Sequence, residues 1–327
     1  MIDFRVMRKA ATFLTLTLAA VFLAIRAAFA SCGGESCPLD PGARWEEASL
    51  TFEVSQQYID QDQPRVGTED AVVGQIPADE NEIRTVNRIT TARATYRRAA
   101  WSVSLALPHV VRTHEHIADP TGTADDQRWH FRGMGDLEGT VIRRFGPDTG
   151  IRTFLSGGVK APTGTRNVHE VDGDQPEPPT RPGTGSWDFM AGAGAEMRLH
   201  MGAFRDRGGL PLRASVNERW NGRGTDHYKV GNEFTAHLAT DVPMVSWGAL
   251  LAQTNLRVRG KDDVGDSDTD PSNTGGTAVY ISPGFRVSGK GSSVYGLVQI
   301  PIYQRVNGIQ LVSDTNLFLG VTHSFAR

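Results

Sequence analysis

Hydrophobic and polar residues alternate along the last segment of the chain. Leu317, Leu319, Val321 and Phe325 fall on one face of an extended strand, and polar residues such as Asn316 fall on the other. A strand with one face toward lipid and one toward a polar lumen shows this period, and an aromatic residue near the terminus is typical of the closing strand of an outer-membrane β-barrel. The pattern therefore predicts that the chain crosses a membrane as strands.

The same alternation recurs along most of the chain. Twelve segments carry it, at about 50–58, 83–97, 101–107, 129–145, 150–160, 188–199, 210–217, 230–238, 250–259, 279–287, 294–303 and 316–325. In the eleventh segment we expect Tyr295, Gln299 and Tyr303 to face the lumen. We predict an all-β fold, a transmembrane antiparallel up-and-down β-barrel of about 12 strands with both termini periplasmic.

The predicted connections alternate in length. Those after odd-numbered strands are rich in Gly, Pro, Asp and Thr and lie around 61–82, 112–127, 161–185, 221–228, 260–275 and 305–313. Those after even-numbered strands are short and lie around 98–100, 146–149, 201–209, 242–246 and 288–292. Outer-membrane barrels have long outer loops and short periplasmic turns, whereas a soluble β-sandwich has no reason to sort its loops in this way.

The N-terminus resembles an export signal. Arg8 and Lys9 precede an apolar run at 10–25, which is shorter than a membrane-spanning helix needs, and Ala28-Phe29-Ala30 is a small-x-small cleavage site. The alternative is a membrane anchor helix. We predict a signal peptide at 1–30, a periplasmic N-terminal segment at 31–47 and the barrel at 48–327.

Two cysteines, Cys32 and Cys37, lie in the predicted periplasmic segment. They fit a disulfide that closes a small loop, since the periplasm is oxidising. Phe29-Ala30-Ser31 before Cys32 also fits a lipid anchor on that residue. A soft-metal or redox site is a third alternative, which two thiolates alone support weakly.

The charge excludes one class of partner. Without residues 1–30 the net charge falls to −6, because four of the 34 basic residues and one of the 37 acidic residues lie there. A mildly acidic chain is not expected to bind nucleic acid. No sequence motif calls for a cofactor.

Several short motifs, in order, resemble the outer-membrane transporter family named for the meta-pathway of phenol degradation. They are Gly135-Asp136-Leu137, Gly158-Val159-Lys160-Ala161-Pro162-Thr163-Gly164, Gly183-Thr184-Gly185-Ser186-Trp187-Asp188, Ser282-Pro283-Gly284-Phe285-Arg286, Tyr295 to Tyr303, Val306-Asn307-Gly308 and Phe318-Leu319-Gly320-Val321. Together they span about 135–325. The resemblance implies an outer-membrane barrel that passes apolar or aromatic compounds.

Charged residues of both signs fall on the polar faces of the predicted strands. The expected pore-lining residues are Glu53, Arg93, Asp136, Glu138, Arg144, Lys160, Asp188, Glu196, Arg198, Arg213, Glu233, Arg257, Arg259 and Arg286. They fit an ion-pair ladder around a wet lumen, or a selectivity ring in which excess Arg favours anionic or polarisable aromatic solutes. If these residues form a selectivity ring, Arg257 and Arg259 are the expected anion-selective pair.

Three further segments carry candidate chemistry. The loop at 161–185 is rich in Pro and Gly and either shapes the pore or is a surface loop. His114 and His116 fall on one side of a strand, as a two-ligand metal site needs, but the solvated end of a strand explains them as well. Ser186, His169 and Asp188 are the residue types of a catalytic triad, but their spacing does not support one.

The sequence thus predicts a bacterial outer-membrane channel for small, hydrophobic or aromatic solutes that pass by diffusion. The alternatives are a structural or assembly barrel without transport and a lipid-modifying enzyme. The expected partners are outer-membrane lipids, a small-molecule solute, and the barrel-assembly machinery through the C-terminal strand.

Overall fold

The computed structural model describes residues 49–73, 82–117, 126–146, 150–169, 175–200, 202, 204, 209–267 and 270–326. The predicted signal peptide and the segment with Cys32 and Cys37 lie outside these residues and stay predictions. Within the described ranges, no helix is long and apolar enough to cross a membrane.

Twelve antiparallel strands form one sheet. They are β1 (Ser49–Val66), β2 (Glu82–Arg98), β3 (Trp101–Ile117), β4 (in two parts, Asp126–Met134 and Leu137–Phe145), β5 (Ile151–Ala161), β6 (Asp188–Leu199), β7 (Leu210–Trp220), β8 (Glu233–Val245), β9 (Gly248–Arg259), β10 (Gly276–Gly289), β11 (Ser292–Val306) and β12 (Ile309–Ala326). Both parts of β4 pair with β3, and the short strand Glu69–Asp70 folds back onto β1.

The sheet closes on itself. β1 pairs with β2 on one side and with β12 on the other, from Ser49 opposite Ala326 to Val66 opposite Ile309. Closure leaves the sheet without open edges, so the backbone amide groups of the spanning strands find partners within the wall. The fold is the predicted closed twelve-stranded antiparallel barrel.

The two faces of the wall differ as the alternation predicts. Large apolar side chains such as Phe52, Leu155 and Leu319 are exposed on the outside, with accessible fractions of 48%, 56% and 53%. Asn255 and Gln299, on the opposite face of their strands, are 0% exposed. The barrel therefore has an apolar exterior and a polar interior, the reverse of a soluble protein.

Exposed aromatic side chains form belts at both rims. Trp101, Phe145 and Trp247 lie near the short turns, and Trp187 and Trp220 lie near the long loops. Such belts mark the levels of the two lipid headgroup regions.

Tyr303 joins the upper belt and corrects the expected lumen-facing position. β10 and β11 pair with a register shift between Val279 and Tyr280. The shift changes the face that the last residues of β11 occupy. Tyr303 is therefore 44% exposed while Gln304 is buried.

The loop asymmetry is confirmed, with one exception. The connection predicted at 305–313 is a two-residue turn at Asn307 and Gly308, because β11 ends at Val306 and β12 begins at Ile309. Gly308 has a φ of +48°, which suits a tight hairpin. β1 and β3 also run further than predicted, to Val66 and Ile117, since polar residues in their outer parts hid the strand pattern there.

Replacing an outward apolar residue by a charged one is expected to destabilise the barrel in lipid. Val141→Arg places a guanidinium among acyl chains and should lower the free energy of folding into bilayers by about 2–4 kcal/mol near the midplane. Urea titration of vesicle-embedded protein measures it. Ser55→Arg, on the partly accessible inner face, is the control, and equal losses would contradict the assignment of the two faces.

Candidate functional site

Charged side chains form ion pairs inside the barrel. Arg219 lies 2.7 Å from Glu138, Arg213 lies 3.4 Å from Glu196, and Arg257 lies 2.7 Å from Glu233. Arg286 pairs with Asp241, and Arg259 lies 3.1 Å from Asp262. Asp241 and Asp262 were not among the charges expected to face inward. They could have been found from their positions on the polar face of a strand or just after one.

All fourteen predicted residues occupy inward positions, opposite the apolar face. They do not share one environment. Asp136, Lys160, Asp188, Glu196, Glu233, Arg257, Arg259 and Arg286 are buried, whereas Glu53, Arg93, Glu138, Arg144, Arg198 and Arg213 have accessible surface. That they line a conducting pore stays a prediction.

A row of uncharged polar side chains fills part of the interior. His237 Nδ1 lies 3.1 Å from Asn255 Oδ1, and the Asn255 amide donates to Ser282 Oγ at 3.0 Å. Asn316 Nδ2 donates to Gln299 Oε1 at 2.9 Å. Asn255 and Gln299 are 0% exposed, so solvent does not reach either side chain.

An apolar cluster lies beside this row, on the inner face. Leu251, Tyr295, Leu297 and Phe318 are buried together. Tyr295 lies on the inner face, as expected. Leu251, Leu297 and Phe318 occupy polar-phase positions of β9, β11 and β12, so reading only the outward apolar set missed these three. The sequence did contain a signal for them, namely apolar residues at positions where the alternation of the strand calls for polar ones.

Below these groups, near the short turns, a cavity of about 430 Å³ opens. We call it the lower vestibule. Its lining has five basic residues, Arg93, Arg97, Arg144, Arg286 and Lys290, against one carboxylate, Glu53, and is otherwise rich in Ser and Thr hydroxyls. Tyr295 donates to Glu53 at 2.9 Å. The vestibule is therefore a positively charged space.

At the opposite end, a buried ion cluster joins the strand ends. Lys160 Nζ, at the end of β5, lies 2.8 Å from Asp136 and 2.9 Å from Asp188. Ser186 Oγ donates to Asp188 at 2.7 Å. All three charged side chains are at least nine-tenths buried. We call Asp136, Lys160 and Asp188 the latch cluster.

The latch cluster fixes the loop between β5 and β6. Asp136 occupies the break in β4 and accepts hydrogen bonds from the backbone N–H of Gly164 at 2.8 Å and of Thr184 at 3.0 Å. A Cβ on Gly164 would lie 2.7 Å from the Cα of Gly183. Glycine is thus required where the two arms of the loop cross above β4.

The far part of this loop lies over the interior. A 3₁₀ turn at Pro178–Thr180 packs against β3, where the inward-facing Arg112 donates to the carbonyl of Thr180. Pro176 is fully buried. Arg181 lies 3.0 Å from Asp226 of the next outer loop. The loop therefore covers the outer mouth of the barrel rather than standing free on the surface.

The fourth and fifth outer loops are joined by a second buried carboxylate. Asp262 accepts hydrogen bonds from Tyr228, from the backbone of Gly231 at 2.8 Å and from Arg259. Burial and the adjacent Asp262 carboxylate raise the pKa of Tyr228 well above its ordinary value. Tyr228 thus stays a neutral donor that ties the two loops together.

The other candidate residues have structural contacts. The imidazoles of His114 and His116 both face inward, with centroids 5.5 Å apart, and pack against Trp129. Within the described part of the chain, no group of three or more His, Cys, Asp or Glu residues could hold a metal. His169 Nε2 lies 3.0 Å from Asn167 Oδ1, and Ser186 belongs to the latch network.

Comparisons with known proteins identify the fold. No family model and no curated protein matches the chain. An outer-membrane channel from Pseudomonas putida F1 superposes with a TM-score of 0.65 at 11% identity, covering 88% of this chain and 100% of that one. The transport unit of the autotransporter AIDA-I from Escherichia coli (TM-score 0.47, 11% identity, 88% and 93% covered) and the P. putida toluene transporter TodX (0.44, 8%, 85% and 91%) are more distant.

At these identities the likeness establishes an outer-membrane-type barrel fold and nothing narrower. The resemblance to the meta-pathway family stays a prediction.

Removing the latch cation is expected to release the loop. Lys160→Met leaves two buried carboxylates without their partner, a change that typically costs about 3–5 kcal/mol. Hydrogen exchange should then accelerate at the amides of Gly164 and Thr184. Lys261→Met, at an exposed loop position, serves as the control. Unchanged exchange in the first variant would show that the loop does not depend on the cluster.

Proposed function

We propose that the protein is an outer-membrane channel through which small hydrophobic or aromatic solutes pass by diffusion. The observation that carries this proposal is the charged, solvent-accessible lower vestibule inside a closed barrel with an apolar exterior. A barrel needed only as a membrane anchor gains nothing from such a space. The exterior and its two aromatic belts support a location in the outer membrane.

The proposed solute class combines two observations. The motifs at 135–137, 158–164 and 183–188 resemble the meta-pathway family, and all three meet at the latch cluster. The basic vestibule supplies guanidinium groups, which attract both anions and the faces of aromatic rings. We therefore propose planar aromatic solutes, including those that carry an anionic group.

We further propose that the loop over the outer mouth restricts passage. Arg112, Thr180 and Pro176 hold it against the barrel wall, and below it Asn255 and Gln299 are fully buried. Passage then requires the loop or these side chains to move. This feature also favours the second candidate, a structural barrel without transport, which a conductance measurement distinguishes.

An enzymatic role is the least supported candidate. Ser186 Oγ donates to Asp188, and Lys160 Nζ lies 3.3 Å from the same hydroxyl. The groups around Ser186 hold the loop in place, and the sequence contains no recognisable nucleophile–base pair of a lipid-modifying enzyme. We propose that the protein is not an enzyme.

Shortening the loop is expected to raise conductance. Deleting residues 166–181 removes the turn at Pro178–Thr180 from the outer mouth but retains Gly164, Gly183 and the latch cluster. Single-channel recording in planar bilayers should show discrete events in the native protein and larger ones in the deletion variant. Silence in both folded proteins would leave the structural barrel as the better proposal.

Charge removal from the vestibule is expected to shift ion preference toward cations. Arg257 and Arg259 are paired with Glu233 and Asp262, so the unequal charge lies instead around Arg93 and Arg144. The double variant Arg93→Gln, Arg144→Gln should lower the chloride-to-potassium permeability ratio, measured from reversal potentials in a salt gradient.

The matched control for this prediction is Glu233→Gln with Arg257→Gln, which removes one charge of each sign. It should leave the permeability ratio unchanged. A ratio that stays the same in the vestibule variant as well would place the ion filter elsewhere.

A further inference from the structure

A row of one aromatic and two basic side chains crosses three strands on the outside of the barrel, next to the short turns. Arg98 at the end of β2 lies opposite Trp101 at the start of β3, and Trp101 lies opposite Arg143 of β4. We call these three residues the rim row. Residues directly opposite one another on antiparallel strands share a face of the sheet, with Cβ atoms about 5 Å apart.

The rim row faces outward. Val103 and Val141, two residues further along the same strands, are exposed at 45% and 41%. Trp101 itself is 47% exposed, and Arg98 and Arg143 are both exposed. The neighbouring arginines Arg97 and Arg144 have the opposite phase and line the lower vestibule, so they do not belong to the row.

Two aromatic rings hold the Arg143 guanidinium in place. Its Cζ lies 5.0 Å from the ring centroid of Trp101 and 5.1 Å from that of Phe145. Cation–π contacts at these distances are favourable, and they leave the N–H edges of the guanidinium open for hydrogen bonds. Among the described residues, Arg143 makes no ion pair with a carboxylate.

An arginine on a lipid-facing surface requires compensation. Its cost is about 2–4 kcal/mol at the bilayer midplane and falls toward zero near the interface, where the guanidinium reaches headgroups. The aromatic belt places Arg143 at this interface. The groups available there are lipid phosphates, which guanidinium binds through paired hydrogen bonds.

We infer that the rim row is a binding site for the phosphate of an anionic phospholipid. Arg143 and Arg98 flank the phosphate, and Trp101 and Phe145 contact the glycerol and upper acyl region. An anionic lipid is favoured over a zwitterionic one because two cations lie on either side of Trp101, and among the described residues neither is paired with a carboxylate. The inference rests on the proposed location in a membrane but not on solute transport.

Lipid retention on the intact, folded barrel tests the inference. Full-length protein in detergent is mixed with equal amounts of phosphatidylglycerol and phosphatidylcholine, and bound lipid is counted by native mass spectrometry. Native protein should retain phosphatidylglycerol preferentially. Arg143→Gln should reduce that retention by about tenfold, as expected for the loss of charge-assisted hydrogen bonds, and Arg143→Lys should reduce it less.

Arg88→Gln is the matched control. Like Arg143, Arg88 is an exposed arginine over an aromatic ring, with its Cζ 5.9 Å from the Tyr58 centroid. It lies on β2, away from the short turns. It should retain lipid as the native protein does. Equal loss in both variants would indicate unspecific charge attraction and overturn the inference, as would equal retention of the two lipids by native protein.

Folding and transport are separated from this readout. Heat-modifiable mobility on gels confirms that each variant is a closed barrel before lipid is counted. Single-channel conductance of Arg143→Gln should match the native value, because the side chain lies outside the lumen. A folded barrel that never conducts but loses lipid on this substitution would refute the proposed channel and leave the lipid site standing.

Discussion

Backbone hydrogen bonding in a medium without water governs this structure. An unpaired amide in hydrocarbon costs several kcal/mol, so a sheet that spans a membrane has to close. β1 therefore pairs along its length with both β2 and β12, although β1 and β12 lie at opposite ends of the barrel sequence. Closure fixes the direction of every side chain, because alternate residues of each strand then face lipid or interior. The interior chemistry follows from that sorting.

Sorting sends many charged residues of the strands into one confined space, where each has to find a partner or water. Strand register decides whether a charged side chain contacts a partner or water. Glu196 lies opposite Arg213 and pairs with it, and Glu233 reaches Arg257 near the outer end of β9. Near the short turns, arginines outnumber acidic residues in the lining of the lower vestibule. The excess positive charge of the interior thus lies at this end of the barrel.

The sequence predicts what alternation alone determines: the number of strands, their faces and the placement of short turns on one rim. It cannot predict features that depend on the register in which one strand pairs with another. The register shift that turns Tyr303 outward, and the tight hairpin at Asn307, arise from pairing of β11 with its neighbours. That the fourteen charged residues line the pore stays a prediction, and their ion-pair partners were not predictable, because the register between strands is not encoded in any one strand.

The break in β4 shows how a local interruption creates the most constrained part of the molecule. Asp136 leaves the strand ladder and turns its carboxylate to Lys160 and to the amides of Gly164 and Thr184. These contacts are polar and lie inside a polar barrel, so the loop is held by hydrogen bonds and ion pairs rather than by apolar burial. Water entering the mouth can replace each of them, which lowers the free energy needed to lift the loop. A loop packed on an apolar core would have no such exchange partner.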